Sequence, residues 1–444
     1  MMRSMYAAVS GLRNHQTRMD VIGNNIANVN TIGFKKSRVT FRDAFSQILR
    51  GASRPEGGQG GTNPMQVGLG MVLGSIDTIH TKGNTQTTGN MTDLAIDGAG
   101  YFILNSGSGS PVYTRAGAFR FDGEGNFVNP DGLKVQGWYL DEQGNRLAGP
   151  GGTVDPTADP TDLALIPALT KSPPKPTSSV KLSGNLDAGT AAGESFTRSF
   201  TVYDKLGNPY SVSVRFTPTT NANEWTWEIP NPASTTTPFV SGTLTFGADG
   251  TFSSVSVDAS NGDKWSGTVN QSGSSVTLTF SPDGTIDNPP YSQDDCPQTF
   301  DFSGITQYAD PRGESLINVT QDGYTKGDLE EITVDAGGVV SGSYSNGVSR
   351  PLLKVALATF TNPGGLISKG GSLFAVSNNS GAPEVSEPGS GQAGAIAPSS
   401  LEMSNVDLSE EFTDMIVTQR GFQANSRVIT VSDEMLQELV NLKR

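Results

Sequence analysis

Both ends of the chain carry apolar side chains at every seventh position. The repeat falls on Met5, Leu12, Met19 and Ile26 near the N-terminus, where Ala8, His15, Ile22 and Val29 follow at i+3 on the same stripe. Near the C-terminus it falls on Leu401, Leu408, Met415, Phe422, Ile429 and Leu436. A seven-residue apolar period is typical of a helix that wraps around another helix. We therefore predict one helix over residues 2 to about 28 and another over residues 405–442. Each must pair with the other end of the chain, with neighbouring copies, or with both.

The boundaries of these helices carry capping signals. Asp407 is a favourable N-cap for the C-terminal helix, with Glu410 three residues further on. Asparagines bond to nearby backbone and tolerate left-handed conformations, so a cluster of them predicts that the N-terminal helix ends in a fixed turn. The cluster consists of Asn24, Asn25, Asn28 and Asn30. Inside this helix, Gly11 and Gly23 indicate close approach of a partner helix or, for Gly23, an early helix end.

Between the helices, alternating apolar and polar residues flank turns rich in Gly, Asp and Asn, a pattern typical of antiparallel hairpins. Such turns follow Phe121, Leu140, Phe246 and Val334. Residues 180–302 are rich in Ser, Thr and Gly and predict a separate sandwich or barrel. Because the earlier strand pattern resumes after residue 324, this domain is predicted to be inserted into its neighbour.

These patterns together predict a mainly β protein with terminal α-helices, built as nested domains. The terminal helices form a coiled-coil core domain, the inner antiparallel β-domain is discontinuous, and the outer antiparallel β-domain is inserted into it. The predicted bounds are 1–30 and 401–444 for the helical domain, 31–71 for an extended connector, 72–160 and 318–380 for the inner domain, 161–317 for the outer domain, and 381–400 for a second connector.

Net charge, the cysteine count and the lengths of apolar runs argue against several classes of function. The 444 residues carry a formal net charge of -14, which argues against binding to nucleic acid or to an anionic membrane surface. The single cysteine, Cys296, cannot form an internal disulfide. No apolar run approaches the roughly 18 residues of a membrane span, so we expect no membrane insertion. Met5–Val9 is too short an apolar stretch for a secretory signal, so we expect export without a cleaved signal peptide.

The sequence predicts no catalytic, cofactor-binding or metal site, and so it does not predict an enzyme. The two histidines, His15 on the apolar stripe and His80 in a predicted strand, do not form a zinc site of the usual spacing with one cysteine. The run Asp122, Glu124 and Asn126 resembles the start of a calcium loop. It lacks the glycine and the glutamate that such a loop needs at its sixth and twelfth positions, and we interpret it as a hairpin turn.

Several stretches resemble the family of bacterial flagellar rod and hook proteins. Asn24–Lys35 resembles the N-terminal motif of that family, Asp93–Phe102 its inner β-domain, and Ser404–Leu408 with Met415–Asn425 its C-terminal motif. The N-terminal motif residues are Asn24, Asn25, Asn28, Gly33 and Phe34. The length and the inserted domain favour the hook members over the rod members, which are usually shorter and lack the insert.

The resemblance implies a structural subunit of an extracellular flagellar tube that transmits torque from rod to filament while it bends. The implied partners are copies of the same chain in a helical homopolymer, rod, hook-cap and hook–filament junction proteins, and the type III flagellar export apparatus. The polymerisation interface is predicted on the terminal helices, at Met5, Leu12, Met19, Ile26, Leu408, Met415, Phe422, Ile429 and Leu436.

Two alternatives stay open at this point. The glycine-rich stretch Gly51–Gly70 resembles a distal-rod feature as much as a hook feature, which allows a distal rod subunit of the flagellar basal body. A secreted β-sandwich adhesin or glycan-binding protein would use Trp225, Trp227 and Trp265 as a stacking platform. Core tryptophans are the simpler interpretation, and terminal heptads have no role in a monomeric adhesin.

Overall fold

Two compact units make up the chain. The computed structural model describes residues 2–52, 54, 61–107, 109–230, 238, 240–258, 269–272, 275–279 and 297–442. Unit 1 comprises Met1–Ile166, Glu331–Gly342 and Ser349–Arg444, and unit 2 comprises Pro167–Glu330 and Ser343–Val348. Cys296 and Trp265 lie outside the described residues, as does most of the glycine-rich connector between residues 53 and 60.

A helix lies at each end of unit 1, and strands occupy most of the chain between them. The helices are α1 (Met2–Ala27) and α2 (Leu408–Leu442). The strands up to residue 162 are β1 (Ser37–Asp43), β2 (Ser46–Arg50), β3 (Met65–Gly68), β4 (Met71–Thr78), β5 (Thr85–Thr87), β6 (Leu94–Asp97), β7 (Tyr101–Asn105), β8 (Pro111–Thr114), β9 (Arg120–Phe121), β10 (Phe127–Val128), β11 (Lys134–Leu140), β12 (Arg146–Leu147) and β13 (Thr161–Asp162). The strands of unit 2 up to residue 321 are β14 (Lys171–Ser172), β15 (Ser179–Asp187), β16 (Phe196–Tyr203), β17 (Pro209–Pro218), β18 (Glu224–Ile229), β19 (Val240–Phe246), β20 (Phe252–Val257), β21 (Val269–Ser272), β22 (Ser275–Thr279), β23 (Pro297–Tyr308) and β24 (Leu316–Gln321). The remaining strands are β25 (Gly327–Val334), β26 (Val339–Tyr344), β27 (Ser349–Val355), β28 (Leu357–Thr359), β29 (Ile367–Gly370), β30 (Leu373–Ala375), β31 (Glu384–Ser386), β32 (Ala395–Pro398) and β33 (Ser400–Glu402).

The β-structure of unit 1 centres on a sheet with the order β27-β11-β7-β8-β30-β29. β7 and β8 are buried along most of their length, and Tyr101, Tyr113, Trp138 and Phe374 pack in one buried cluster. Two short pairings join the C-terminal part of unit 1 to its N-terminal part, since β32 pairs with β6 and β33 pairs with β5. The residues that lead into α2 are therefore anchored on the N-terminal half of the chain.

Unit 2 holds two five-stranded sheets with the orders β21-β22-β23-β15-β24 and β16-β17-β18-β19-β20. In β18, every second side chain is buried, and Trp225 and Trp227 lie in a core cluster to which both sheets contribute. The sequence predicted a sandwich or a barrel, and two sheets that share one core form a sandwich, in which each sheet covers the apolar face of the other. β15 and β23 pair in parallel, which the expectation of antiparallel sheets did not include.

The predicted hairpins are present at the Asp-rich turns. β9 pairs with β10, β11 with β12, and β19 with β20, each antiparallel. In the first of these turns, the Oδ1 atom of Asp122 accepts hydrogen bonds from the backbone N–H groups of Glu124 and Asn126 at 2.9 and 2.8 Å. The carboxylate that resembled a calcium ligand is thus used by its own turn.

Several local predictions differ from the structure. Leu401 lies in β33 and is buried there, so it does not belong to the C-terminal helix, which begins seven residues later. His80 follows the end of β4 instead of lying within a strand. The predicted connectors contain strands, because β1–β3 lie within residues 31–71 and β31 and β32 lie within residues 381–400.

The predicted domain bounds also cut through pairings. The bound at 317/318 falls inside β24, which pairs with β15 in unit 2, and the bound at 160/161 precedes β13, which pairs with β11 in unit 1. Alternating apolar residues locate strands well, but they do not say which of two adjacent β-domains a strand joins.

Candidate assembly interface

At the seam between α1 and α2, the buried positions carry mostly small and polar side chains, with Ile22 as a large apolar one. The residues buried on α1 are Ala8, Gly11, Ile22 and Asn25, and those buried on α2 are Glu411, Thr418 and Ser432. On α2 these positions keep the seven-residue period, but they lie three residues after the predicted apolar stripe. Two helices can still pair along this line, because small residues allow their backbones to approach.

Two glycines mark the closest approach of the helices. A Cβ atom added at Gly11 would lie 2.7 Å from Nδ2 of Asn425, and one added at Gly421 would lie 2.9 Å from the ring of His15. The close-approach role predicted for Gly11 is therefore confirmed. At Gly23 an added Cβ would meet nothing within 4 Å, and α1 continues through Ala27, so neither role predicted for Gly23 is present.

Polar contacts fix the register of the helix pair near the base of α2. Nδ2 of Asn25 donates to Oε2 of Glu411 at 3.2 Å, and Arg18 forms an ion pair with Asp414 at 2.8 Å. Burial, as the largest cause, raises the pKa of Glu411. The seam therefore holds a carboxyl group whose charged form is disfavoured by its surroundings.

His15 lies on α1 against Phe41 and Gly421, with its ring centroid 6.0 Å from that of Phe41. Burial first, and the positive charge of Arg18 second, lower the pKa of His15. The packing of His15 agrees with its place on the apolar stripe, and its surroundings disfavour the charged form.

The asparagine motif after α1 ties the helix to the strand that follows it. Asn25 is 1% exposed; its side chain accepts from the N–H of Ser37 at 3.0 Å and donates to the carbonyl of Ser37 at 2.9 Å. Asn28 donates to the carbonyl of Asn24 at 2.9 Å and so caps the end of the helix. The fixed turn predicted from the asparagine cluster is present.

The remaining motif residues differ in their roles. Gly33 adopts φ +67° and donates its N–H to the carbonyl of Glu402 at 2.8 Å. A Cβ there would lie 2.6 Å from the backbone N of Ala116, so the position requires glycine for both conformation and space. Phe34 is half-buried, and Asn24 itself is exposed.

The N-terminus of α2 is capped as predicted. Oδ1 of Asp407 accepts from the N–H of Ser409 at 2.8 Å, which satisfies one of the free donors at the helix start. Glu410 does not complete a reciprocal box, because its carboxylate pairs with Lys36 at 2.7 Å instead. Asn405 joins the same two chain ends, since its Oδ1 accepts from the N–H of Lys36 at 2.7 Å.

The predicted stripe residues flank the seam rather than fill it. Met5, Leu12, Met19, Ile26, Met415, Ile429 and Leu436 are half-buried, while Leu408 and Phe422 are 39% and 36% exposed. The polar seam positions were missed, although the seven-residue period of Glu411, Thr418, Asn425 and Ser432 would have revealed them. A search restricted to apolar residues could not find them.

A large set of apolar side chains on α2 remains uncovered. We call it the exposed set of α2, and it comprises Phe412, Ile416, Val417, Val428, Val431, Met435, Leu439, Val440 and Leu442. The hairpin of β2 and β3 adds Ile48, Leu49, Met65 and Val67, all exposed. Large exposed apolar patches mark protein–protein interaction sites in soluble proteins, and these side chains are candidates for such a site.

Within the described residues, no group of three or more His, Cys, Asp or Glu side chains is arranged to hold a metal ion. Neither α1 nor α2, over their described lengths, is apolar enough to span a membrane.

Four family models match successive parts of the chain. They are "Flagella basal body rod protein" over residues 5–35, "Flagellar hook protein FlgE/F/G D1 domain" over 95–166, "Flagellar basal body protein FlaE D2 domain" over 168–324, and "Flagellar basal body rod FlgEFG protein C-terminal" over 397–442. The matched ranges include most of α1, all of α2 and most of unit 2.

Curated relatives match over the full length. The chain is 43% identical over 463 residues to the flagellar hook protein FlgE of Borreliella burgdorferi, and 41% identical over 474 residues to that of Treponema pallidum, with 100% of each chain covered. It is 32% identical over 445 residues to the flagellar basal-body rod protein FlgG of Bacillus subtilis, again with 100% of both covered. On this full-length similarity, the chain belongs to the flagellar hook protein FlgE family.

Proposed function

We propose that this chain, a structural subunit of the bacterial flagellar hook, polymerises with copies of itself through the exposed set of α2. The observation that carries the proposal is the contrast between the two sides of that helix. The seam with α1 is closed mostly by small and polar residues, whereas Ile416, Val417 and Val440 are 58%, 57% and 68% exposed. Neighbouring copies in a tube would cover these side chains, and their burial would supply the driving force for assembly.

The predicted stripe residues take part in the same interface. Leu408 and Phe422 stand at the edge of the seam, where a second helix pair could pack against both α1 and α2. In a helical homopolymer, each subunit would then bury its apolar residues between copies and its polar residues within the copy. Such a tube would be held together at its core and could transmit torque from rod to filament while it bends.

The remaining proposals concern the surroundings of the tube. We propose an extracellular location beyond the rod, export by the flagellar type III route without a cleaved signal peptide, and contacts with rod, hook-cap and hook–filament junction proteins at the two ends of the tube. Membership of a family of structural flagellar proteins supports a non-enzymatic role.

One observation favours a second candidate, a distal rod subunit. The match to the rod protein FlgG extends over the whole of both chains. Immunogold electron microscopy with an antibody against residues 181–300 separates the candidates. Gold on a short curved segment between cell body and filament supports the hook subunit, and gold confined to basal bodies supports the rod subunit. Gold scattered over the cell surface would contradict both and favour an adhesin.

The role of the exposed set is tested by a triple variant, Ile416→Ser with Val417→Ser and Val431→Ser. We expect the variant to fold, because these side chains are exposed, but to form no tubes under conditions in which the unsubstituted chain polymerises. Leu206→Ser is the matched control, since Leu206 is 75% exposed in unit 2. Negative-stain electron microscopy counts the tubes. Equal numbers from the triple variant and the control would refute an assembly role for the exposed set.

A further inference from the structure

Three charged side chains lie buried together in unit 1, away from the helix seam. Lys35 is 3% exposed, Arg115 is 4% exposed and Glu402 is fully buried. Nζ of Lys35 lies 2.6 Å from Oε1 of Glu402, and Nη1 of Arg115 lies 3.1 Å from Oε2 of the same carboxylate. We call these three residues the buried triad. One carboxylate therefore neutralises two cations that come from separate parts of the chain.

Backbone groups complete the surroundings of the triad. The N–H of Gly83 donates to Oε1 of Glu402 at 2.9 Å, Nζ of Lys35 donates to the carbonyl of Thr81 at 2.7 Å, and Nη2 of Arg115 donates to the carbonyl of Gly98 at 2.8 Å. These bonds hold the charged groups in place without changing the balance of charge. With two cations and one anion, the triad carries a net charge of +1.

The neighbouring histidine does not alter this balance. Burial first, and then the positive charges of Lys35 and Arg115, lower the pKa of His80 to about 4. His80 is therefore neutral near pH 7. Burial also lowers the pKa of Lys35, and the charge of Glu402 opposes that shift. The carboxylate of Glu402 thus favours the charged form of Lys35 inside the protein.

The positions of the triad residues along the chain indicate a role for the triad beyond packing. Lys35 follows α1 after the asparagine motif, Glu402 ends β33 six residues before α2, and Arg115 directly follows β8 of the inner sheet. The triad therefore joins the roots of both terminal helices to the β-structure between them. If residues 400–405 leave, Lys35 and Arg115 both lose their buried counter-charge, which is strongly unfavourable. If residues 33–37 leave, Glu402 keeps Arg115 but loses the bond from Lys35.

We propose that the buried triad is a latch that makes the docking of the two chain ends cooperative. Residues 33–37 and residues 400–405 then dock on the β-structure of unit 1 together or not at all. A subunit with residues 400–405 loose is disfavoured, because it would leave both Lys35 and Arg115 buried without a counter-charge. With residues 33–37 loose, Glu402 keeps Arg115 but loses its charge-assisted bond from Lys35, and this coupling between the two ends is reciprocal. The coupling is a property of the single chain. That it presents α1 and α2 to the growing tube as one unit rests, in addition, on the proposed function.

The latch predicts effects that cross from one chain end to the other. In the full chain, we expect Lys35→Met to speed amide hydrogen exchange in residues 400–405, and Glu402→Gln to speed it at Gly33 and Gly83, each by about tenfold or more. Glu410→Gln is the matched control, because it removes the exposed ion pair to Lys36 in the same region. We expect less than about a twofold change from it. Acceleration confined to the substituted segment would overturn the proposal.

The number of unpaired cations that each variant leaves supplies a second test. It distinguishes a triad that couples the two chain ends from one that only packs. Glu402→Gln leaves two unpaired cations, whereas the double variant Lys35→Met with Glu402→Gln leaves one. The double variant should therefore show slower exchange than Glu402→Gln alone, a partial rescue. If the two substitutions instead add, so that the double variant opens more than either single variant, the triad is only a packing element. Should Glu402→Gln fail to fold, folding of the double variant supports the latch, and the cross-end effect of Lys35→Met decides the case.

Discussion

Asn25 and Glu411 join the last turn of α1 to the first turn of α2 through a hydrogen bond of 3.2 Å between buried groups. Asn25 also brackets the backbone of Ser37, so one amide side chain links both helices and β1. The side chain is 1% exposed, and a carboxylate of the same shape could not donate to Glu411. These contacts enclose Asn25, so it is buried, whereas the neighbouring Asn24 makes none of them and is exposed.

Asn25→Asp is expected to destabilise the helix pair by about 2–4 kcal/mol, because it places a second carboxylate against Glu411 and removes the donor to Ser37. Asn24→Asp is the matched control; Asn24 is exposed, and the new carboxylate still accepts from Asn28. Urea unfolding followed by helical circular dichroism at pH 7 measures the difference. Equal midpoints for the two variants would show that the buried amide has no special role.

The raised pKa of Glu411 predicts a pH dependence of the helix pair. A carboxyl group whose pKa is higher in the folded state than in the unfolded state contributes stability that is fully present below the unfolded pKa. This stability is lost as the pH rises through the folded pKa. For Glu411 the unfolded value is near 4.5, so its contribution favours acidic conditions and is lost above that range.

Glu411→Gln should therefore gain stability relative to the unsubstituted chain as the pH rises from about 4.5 to 7.5. The glutamine is neutral at every pH and still accepts the hydrogen bond from Asn25. Helical circular dichroism in urea, measured across this pH range for both chains, gives the difference. A difference that stays constant with pH would mean that Glu411 does not titrate differently in the folded and unfolded chain.

His80 predicts a dependence of the opposite sign within unit 1. Its pKa is lowered from 6.5 to about 4, so its contribution is fully present above pH 6.5 and is lost as the pH falls towards 4. We expect His80→Gln to reduce the loss of stability over this window by roughly 1–2 kcal/mol, a figure discounted for the partial exposure of the ring. Urea unfolding midpoints of both chains, measured between pH 6.5 and 4, check this difference. If the midpoints of the two chains fall equally with pH, His80 is not a neutral, desolvated side chain.

Gly11 and Gly23 form a natural pair for testing helix approach. Alanine is favoured over glycine by about 1 kcal/mol inside a helix, and Gly23→Ala meets no neighbour, so it should stabilise α1 by up to that amount. Gly11→Ala would press on Asn425, and we expect it to be about 1–2 kcal/mol less stable than Gly23→Ala. Thermal unfolding of both variants gives the comparison. If Gly11→Ala is as stable as Gly23→Ala, the close approach at Asn425 is not a constraint.

Sequence periodicity located most elements but not their partners. The hairpins at Asp122, Asp141 and Asp249 could be predicted because a turn and its two strands are local in sequence. The buried triad could not, since Lys35, Arg115 and Glu402 are separated by up to 367 residues and none belongs to a recognisable spacing. Lys, Arg and Glu are among the residue types that are least often buried, so prediction from sequence places them at the surface.

The pairing of the two helices could be predicted from the sequence, but the residues that face each other could not. The seven-residue period correctly indicated paired helices, but the choice of the apolar stripe assumed that apolar residues face the nearest partner. Within this chain, the nearest partner receives Glu411, Thr418 and Ser432 instead. A helix that must pair both within its own chain and with other copies can carry two stripes, and the apolar one then belongs to the larger interface.

The core of unit 2 provides a prediction that separates a structural subunit from a glycan-binding module. Trp227 is fully buried, its ring centroid lies 5.0 Å from that of Phe302, and its Nε1 donates to the carbonyl of Ser256 at 3.3 Å. Trp225 is 1% exposed in the same cluster. These two rings therefore have no free face on which a sugar could stack, which makes the adhesin interpretation wrong for both.

Trp227→Ala is accordingly expected to destabilise unit 2 by about 3–5 kcal/mol, through the lost contacts and the cavity that remains. Leu206→Ala, at an exposed position of the same unit, should change stability by less than about 0.5 kcal/mol. Urea unfolding followed by tryptophan fluorescence gives both values, and soluble oligosaccharides added to the folded chain should leave the emission of Trp225 and Trp227 unchanged. A sugar-dependent shift that disappears in Trp227→Ala would instead show that this ring is accessible, and it would return unit 2 to the class of ligand-binding sandwiches.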